Sequence, residues 1–273
     1  GARAVSLPGP HELAAILAVA RGAAEEAGGL LLEHRGRLGA AEDAAKTARR
    51  DLVTAADLAS ERLIVARLRE RFPDHALEAE EETHDDAGGD DQLRWLIDPL
   101  DGTVNFVHRL PAFAVSLALW RGATPLLAVV HAPRLGETFC ALRGGGATLN
   151  DAPIHVSATA ELSDAVLATG FPYRREELEH SNLENFGAFF YDVRGLRRMG
   201  SAAIDLAYTA AGRFDGFWEL HLSPHDVAAG GLLVLEAGGV VRDADGGHDW
   251  LRGGSLVAAG PALFERIRER VRH

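Results

Sequence analysis

Apolar residues recur at helical spacing over residues 11–37, an Ala-, Leu- and Glu-rich stretch that predicts a helix interrupted at Gly28-Gly29. Residues 54–72 predict a second helix, with Thr54 as the expected N-cap and Pro73 after its end. The pattern then changes. Residues 93–97 predict a short buried strand running into Asp98-Pro99. Residues 113–120, 126–131 and 137–142 predict successive strands separated by Gly and Pro, hence an antiparallel run. Gly144-Gly145-Gly146 predicts a tight turn. The second half alternates, with strands expected at 165–169, 214–219, 240–241 and 255–259. Helices are expected at 181–190, 201–211, 227–237 and 261–270. This order predicts a layered α/β or α+β sandwich.

No fixed-period repeat or low-complexity linker breaks the 273 residues, so one catalytic unit spanning 1–273 is expected. Its halves would divide near residues 145–146. Lys and Arg number 28 against 40 Asp and Glu, a formal charge of −12. Such a chain repels nucleic acid and anionic membranes unless it carries a local basic patch. It also repels an anionic substrate unless cations intervene. Cys140 is the one cysteine, which excludes an intrachain disulfide and a multi-Cys zinc site. Its expected role is that of a small core residue, in a reducing, cytoplasmic compartment. No apolar run approaches the roughly 18 residues of a membrane helix, and no signal peptide is expected.

Chemistry concentrates where acids meet turns. In Trp95-Leu96-Ile97-Asp98-Pro99-Leu100-Asp101-Gly102-Thr103-Val104-Asn105-Phe106 a buried strand ends on an acid, and Pro99 is expected to fix a turn. A second acid follows three residues later, then Gly102, free for unusual backbone geometry, and Thr103. Two acids on a rigid turn can share cations, and amides opening a helical turn point at an anion. The same segment reads equally as an Asp-Gly turn with an Asp cap. Glu78, Glu80, Glu81 and Glu82 form a second acid group, which alone reads as a solvated face. Asp226 and the stretch from Asp51 to Asp57 each read alone as helix capping. Oxygen donors without a thiolate pair suit Mg²⁺ rather than Zn²⁺. The twelve His are scattered and are expected on the surface or in hydrogen-bonded core.

Taken together, these blocks resemble the inositol monophosphatase family, within the lithium-sensitive, Mg²⁺-dependent phosphatase superfamily. Asp98-Pro99-Leu100-Asp101-Gly102-Thr103 through His108 is similar to its first signature. Asp226-Val227-Ala228-Ala229-Gly230, with Glu236-Ala237-Gly238-Gly239 following, is similar to the second. Residues 51–57 and Gly200-Ser201-Ala202-Ala203 are further family blocks.

The resemblance implies an αβαβα sandwich, usually a homodimer, with two or three Mg²⁺ per site and a small phosphorylated alcohol as substrate. Glu80, Asp98, the carbonyl of Leu100, Asp101 and Asp226 would be the metal ligands, with Glu80, also counted among the catalytic residues, helping to hold a third Mg²⁺ partly through water, and Thr103 and Asp57 would help activate the attacking water. Gly102 and Thr103 would hold the phosphate, near Lys46. Gly200, Ser201, Ala202 and Glu219 would contact the alcohol. The implied reaction is hydrolysis of inositol 1-phosphate or a similar sugar-alcohol phosphate, with histidinol phosphate as the runner-up substrate. A regulatory binding protein of the same fold is the reading from another class. Two departures stand out. The acid block reads Ala79-Glu80-Glu81-Glu82 where the family has Gly-Glu-Glu-Ser, which leaves its register open by one residue. His225 stands where the family has Trp before Asp226, either as a packing replacement or as a substrate contact.

Overall fold

The first long helix, α1 (Pro10–Ala40), buries Leu13, Ile16, Ala20, Ala24, Ala27 and Leu31 along one stripe. It does not stop at Gly28-Gly29. A side chain at Gly28 would stand 2.5 Å from the His131 ring, so that glycine lets the helix lie close on the sheet rather than breaking it. The structure is a computed structural model that describes residues 7–40, 46–86, 89, 91–172 and 181–273; the side chains at 38–40 and 46–52 lie outside the described residues. The second helix, α2 (Lys46–Arg71), begins well before Thr54, which is therefore an interior residue and not the N-cap. The apolar stripe legible in the sequence starts only at Val53, and the cap was read from where that stripe starts.

Beneath these helices lies a seven-stranded sheet: β1 (Ala76–Ala79), β2 (Leu93–Asp101), β3 (Ala114–Arg121), β4 (Thr124–Ala132), β5 (Glu137–Leu142), β6 (Gly146–Leu149) and β7 (Ala152–Ile154). The strands lie in chain order; β1 runs parallel to β2 and the rest are antiparallel. The short helix α3 (Thr103–Val107) follows β2. The second sheet has the order β11-β12-β10-β8-β9, built from β8 (Val166–Thr169), β9 (Gly195–Arg197), β10 (Gly216–Leu220), β11 (Val240–Arg242) and β12 (Ser255–Ala259). Between the sheets run α5 (Ala202–Ala210) and α6 (Pro224–Glu236), sharing one apolar cluster with both. On the far side of the second sheet, α7 (Phe264–Arg268) and Phe189 of α4 (Leu183–Phe189) cover a third cluster. Helices, sheet, helices, sheet, helices: this is the αβαβα order.

The short strands β6, β7 and β9 were not foreseen, and α7 is shorter than the predicted 261–270. Cys140 lies buried in β5, where burial pushes its thiol up to about 11. Among the described residues no helix is long and apolar enough to cross a membrane.

Candidate active site

The strand β2 decides where the acids point. Successive side chains of a strand alternate between faces, so residues three apart would face opposite ways in a regular strand. Asp98 and Asp101 are three apart. However, Asp98 pairs with Ser116 and Asp101 with Ala114, so one extra residue of β2 is inserted between those pairs. The insertion sits at Pro99, which has no N–H to give the ladder. Packing confirms the consequence. Trp95, Ile97 and Leu100 belong to the cluster beneath α1 and α2, whereas Leu96 faces α5 and α6. The bulge thus sends both acids towards α5 and α6. Pro99 makes a bulge within a strand, not the turn expected from the sequence.

On the α5 side, one Asp101 oxygen accepts from the Ser201 hydroxyl and from the Ala203 amide at 2.8 Å. Ser201 is the N-cap of α5, and its hydroxyl also accepts from the Ile204 amide. On the α6 side, Asp226 sits in the first turn rather than before the helix. Its Oδ2 accepts from the Ser223 amide at 2.7 Å and the Ser223 hydroxyl at 2.9 Å. Ser223, not Asp226, is the N-cap. Asp98 accepts from the Leu100 amide at 3.0 Å through Oδ1.

Asp98, Asp101 and Asp226 each bring a carboxylate oxygen within 4.8 Å of the others. Glu80 stands just beyond β1 and is hydrogen-bonded to Asp98. Alternation along β1 puts Glu78 and Glu80 on the side of Asp98, opposite Leu77 and Ala79 in the cluster beneath α2.

Burial favours the protonated form of each of these acids, and for Asp98, Asp101 and Glu80 the neighbouring carboxylates add to it. Burial first, then Glu80, Asp101 and Asp226, push Asp98 well above the usual carboxylate range. Burial and Asp226 push Asp101 up to about 7. Burial also raises Asp226 and, joined by the charge of Asp226, raises Glu80. Hard oxygen donors that repel one another unless protonated or neutralised fit a divalent cation such as Mg²⁺.

The acids open onto a cleft of about 260 Å³ lined by Glu80, Asp101, Asp226, Gly200, Ser201, Ala202, Asp205, Arg198 and Glu219 among others. Glu219, on β10, is pushed up to about 8 by burial and by Asp226 and Asp101, with Arg198 opposing. It presses on Gly170, where a Cβ would stand 2.1 Å from its Oε1. His225 is not among the residues lining this cleft. It packs towards Glu78 and Arg252, and its Nε2 is buried without a partner.

Gly102, Thr103 and Asp57 are not among the residues lining the cleft; Gly102, next to Asp101, has φ 89° and caps α3. A Cβ there would meet the Ala112 carbonyl at 2.8 Å, so glycine is required both by conformation and by space. The Thr103 hydroxyl donates to the Leu100 carbonyl at 3.2 Å. Asp57, buried on α2, is pushed up to about 8 by desolvation and by Glu81, Glu80 and Glu61. The Lys46 side chain lies outside the described residues.

Sequence reading missed several residues around this site. Glu61 accepts from three backbone amides beside Glu80, and Ser60 donates to the Pro99 carbonyl at 2.8 Å. Asn105 donates to the carbonyls of Ala112 and Met199, tying α3 to the segment before α5. Asp205 lies buried with its Oδ1 unpartnered. Their one sequence signal was proximity to a recognised block, as Glu61 lies four residues, one helical turn, beyond Asp57.

The model of the inositol monophosphatase family matches residues 12–273. Nus factor SuhB of Escherichia coli is 41% identical over 257 residues, covering 94% of this chain and 96% of that protein. An inositol monophosphatase from Anabaena superposes with a TM-score of 0.85 at 39% identity, covering 94% of this chain and 95% of that one. The extragenic suppressor protein suhB from Bartonella henselae superposes with a TM-score of 0.82 at 38% identity, covering 94% of this chain and 98% of that one.

Proposed function

The chain belongs to the inositol monophosphatase family, and we propose that it is a Mg²⁺-dependent phosphomonoesterase acting on inositol 1-phosphate or a similar sugar-alcohol phosphate. The observation that carries this reading is the convergence of Asp98, Asp101 and Asp226 at a cleft that also holds Glu219 and the start of α5. Glu80, Asp98, Asp101, Asp226 and the Leu100 carbonyl would hold two or three Mg²⁺. Bound cations supply positive charge for the phosphate and acidify the attacking water.

The remaining tasks fall to the chain. The amides of Gly102 and Thr103 orient the phosphate, aided by Lys46. The Thr103 hydroxyl, its own proton given to the Leu100 carbonyl, keeps its oxygen free to accept from a water. Water adds to phosphorus as the bond to the alcohol oxygen breaks, and its proton leaves on the side of Thr103 and Asp57. The alcohol departs with a proton from solvent. Gly200, Ser201, Ala202 and Glu219 bind the alcohol, and Glu219 offers an acceptor to its hydroxyl groups.

Phosphate release from inositol 1-phosphate, histidinol phosphate and fructose 1,6-bisphosphate, with Mg²⁺ and with chelator, tests the substrate. We expect inositol 1-phosphate to lead in kcat/KM and every rate to collapse in chelator. A lead for histidinol phosphate would replace the substrate and keep the chemistry. The relatives named Nus factor support a second reading, a regulatory binding protein of the same fold. Stoichiometric capture of a protein partner by a folded, Mg²⁺-loaded chain that cleaves no ester would favour it.

A further inference from the structure

Glu61 is 1% exposed, and both oxygens of its carboxylate accept hydrogen bonds. Its Oε2 accepts from the Glu81 amide at 2.9 Å, and its Oε1 accepts from the Glu82 and Thr83 amides at 3.0 and 2.8 Å. These three amides belong to the tight loop that follows Glu80, closed at its base by the Ala79 amide donating to the Thr83 carbonyl at 2.7 Å. The preceding residue of α2, Ser60, donates to the Pro99 carbonyl within the bulge that aims Asp98 and Asp101. The Glu80 amide in turn donates to the Ile97 carbonyl at 3.1 Å, immediately before Asp98. One turn of α2 therefore grips the loop that follows Glu80 and the bulge that carries Asp98 and Asp101, two of the three segments that deliver the acids.

We propose that Glu61 is a positioning residue for the cation site: by clamping the loop after Glu80, in concert with Ser60 on the bulge, it holds Glu80 against Asp98 and sets the affinity for Mg²⁺. This rests on the Mg²⁺-dependent reading above. The physical reason is preorganisation. Carboxylates of like charge separate unless something fixes their backbones, and a ligand loop that must be ordered on binding weakens that binding. A carboxylate is suited to the clamp because it only accepts, and both its oxygens face N–H donors. A glutamine cannot reproduce this, since in either orientation its NH₂ faces at least one backbone N–H.

The test compares wild type, Glu61→Gln and Ser60→Ala by calorimetric titration with Mg²⁺ alone and by activity against Mg²⁺ concentration. For Glu61→Gln we expect Mg²⁺ binding weakened about tenfold, half-saturating Mg²⁺ raised to match, and kcat at saturating Mg²⁺ within about threefold of wild type. Ser60→Ala, the milder change, is expected to weaken Mg²⁺ binding about threefold and decides the matter where Glu61→Gln does not fold. A folded Glu61→Gln protein with wild-type Mg²⁺ affinity, or one whose kcat falls while its affinity holds, overturns the inference. A wild-type chain that binds no Mg²⁺ overturns the reading beneath it, and the inference with it.

Discussion

At the scale of single residues, the site is made by groups that have only one way to sit. Gly170 exists for Glu219: a methyl at 170 would occupy the space of the carboxylate. Gly170→Ala should therefore displace Glu219 and raise KM for the alcohol substrate severalfold, leaving the Mg²⁺ dependence unchanged. Steady-state kinetics at several Mg²⁺ concentrations check it, and an unchanged KM would remove Glu219 from alcohol binding. Legibility at this scale follows chemistry. Asp98 and Asp101 drew notice as two acids beside Pro99 and Gly102, but that segment read equally as an Asp-Gly turn, and Asp226 alone read as a helix cap; the family resemblance joined them. Glu61 drew no notice, because a glutamate on an amphipathic helix reads as a solvated face, and only the fold shows backbone amides closing over it. Thr54 erred in the opposite direction, as a good capping residue inside a helix.

At the scale of elements, the acids depend on a contact between two helices. Asp101 is held by the start of α5 and Asp226 by the start of α6. The two helices approach at Gly230, where a Cβ would stand 2.5 Å from the Leu206 Cβ. Gly230→Ala should force α5 and α6 apart, cost about 1–3 kcal/mol of stability and weaken Mg²⁺ binding together with it. Denaturant unfolding and Mg²⁺ titration measure the two effects; a loss of stability with intact Mg²⁺ affinity would show that the acids tolerate the shift. The long strands were legible because β2 to β5 are buried apolar runs bounded by Gly and Pro. β6, β7 and β9, at three or four residues, are too short to show a period. The break read at Gly28-Gly29 was a weak-helix signal that tertiary packing overrides, since Gly28 is the point where α1 meets His131.

At the scale of the whole molecule, a chain of charge −12 gathers acids at one centre between two sheets. Asp57 and Glu219 are pushed up to about 8 and Asp101 to about 7, all above their values in an unfolded chain. Between about pH 4 and 8 the folded, metal-free protein therefore holds more protons than the unfolded chain. Its stability from these groups is present at low pH and is lost as pH rises through 7 to 8. In chelator, Tm should fall between pH 6 and pH 8.5, and the gain in Tm on adding Mg²⁺ should be larger at pH 8.5. A Tm in chelator that stays level across that range would contradict these shifts. The five-layer order was legible only through the resemblance, because the pattern of strands and helices fits several layered folds and does not say which sheet each strand joins.

The most direct measurement is phosphate release from inositol 1-phosphate by wild type and Asp98→Asn, each with Mg²⁺ and with chelator, after confirming that the variant folds. Asp98 is buried, touches Glu80 and shares the centre with Asp101 and Asp226, so losing its charge should weaken every cation position there. The expected result is Mg²⁺-dependent release by wild type, none in chelator, and less than a tenth of the wild-type rate for Asp98→Asn, a loss of more than about 1.4 kcal/mol in barrier terms. A folded Asp98→Asn protein that keeps more than a tenth of that rate, or a wild-type rate indifferent to chelator, would contradict a catalytic centre built on these carboxylates.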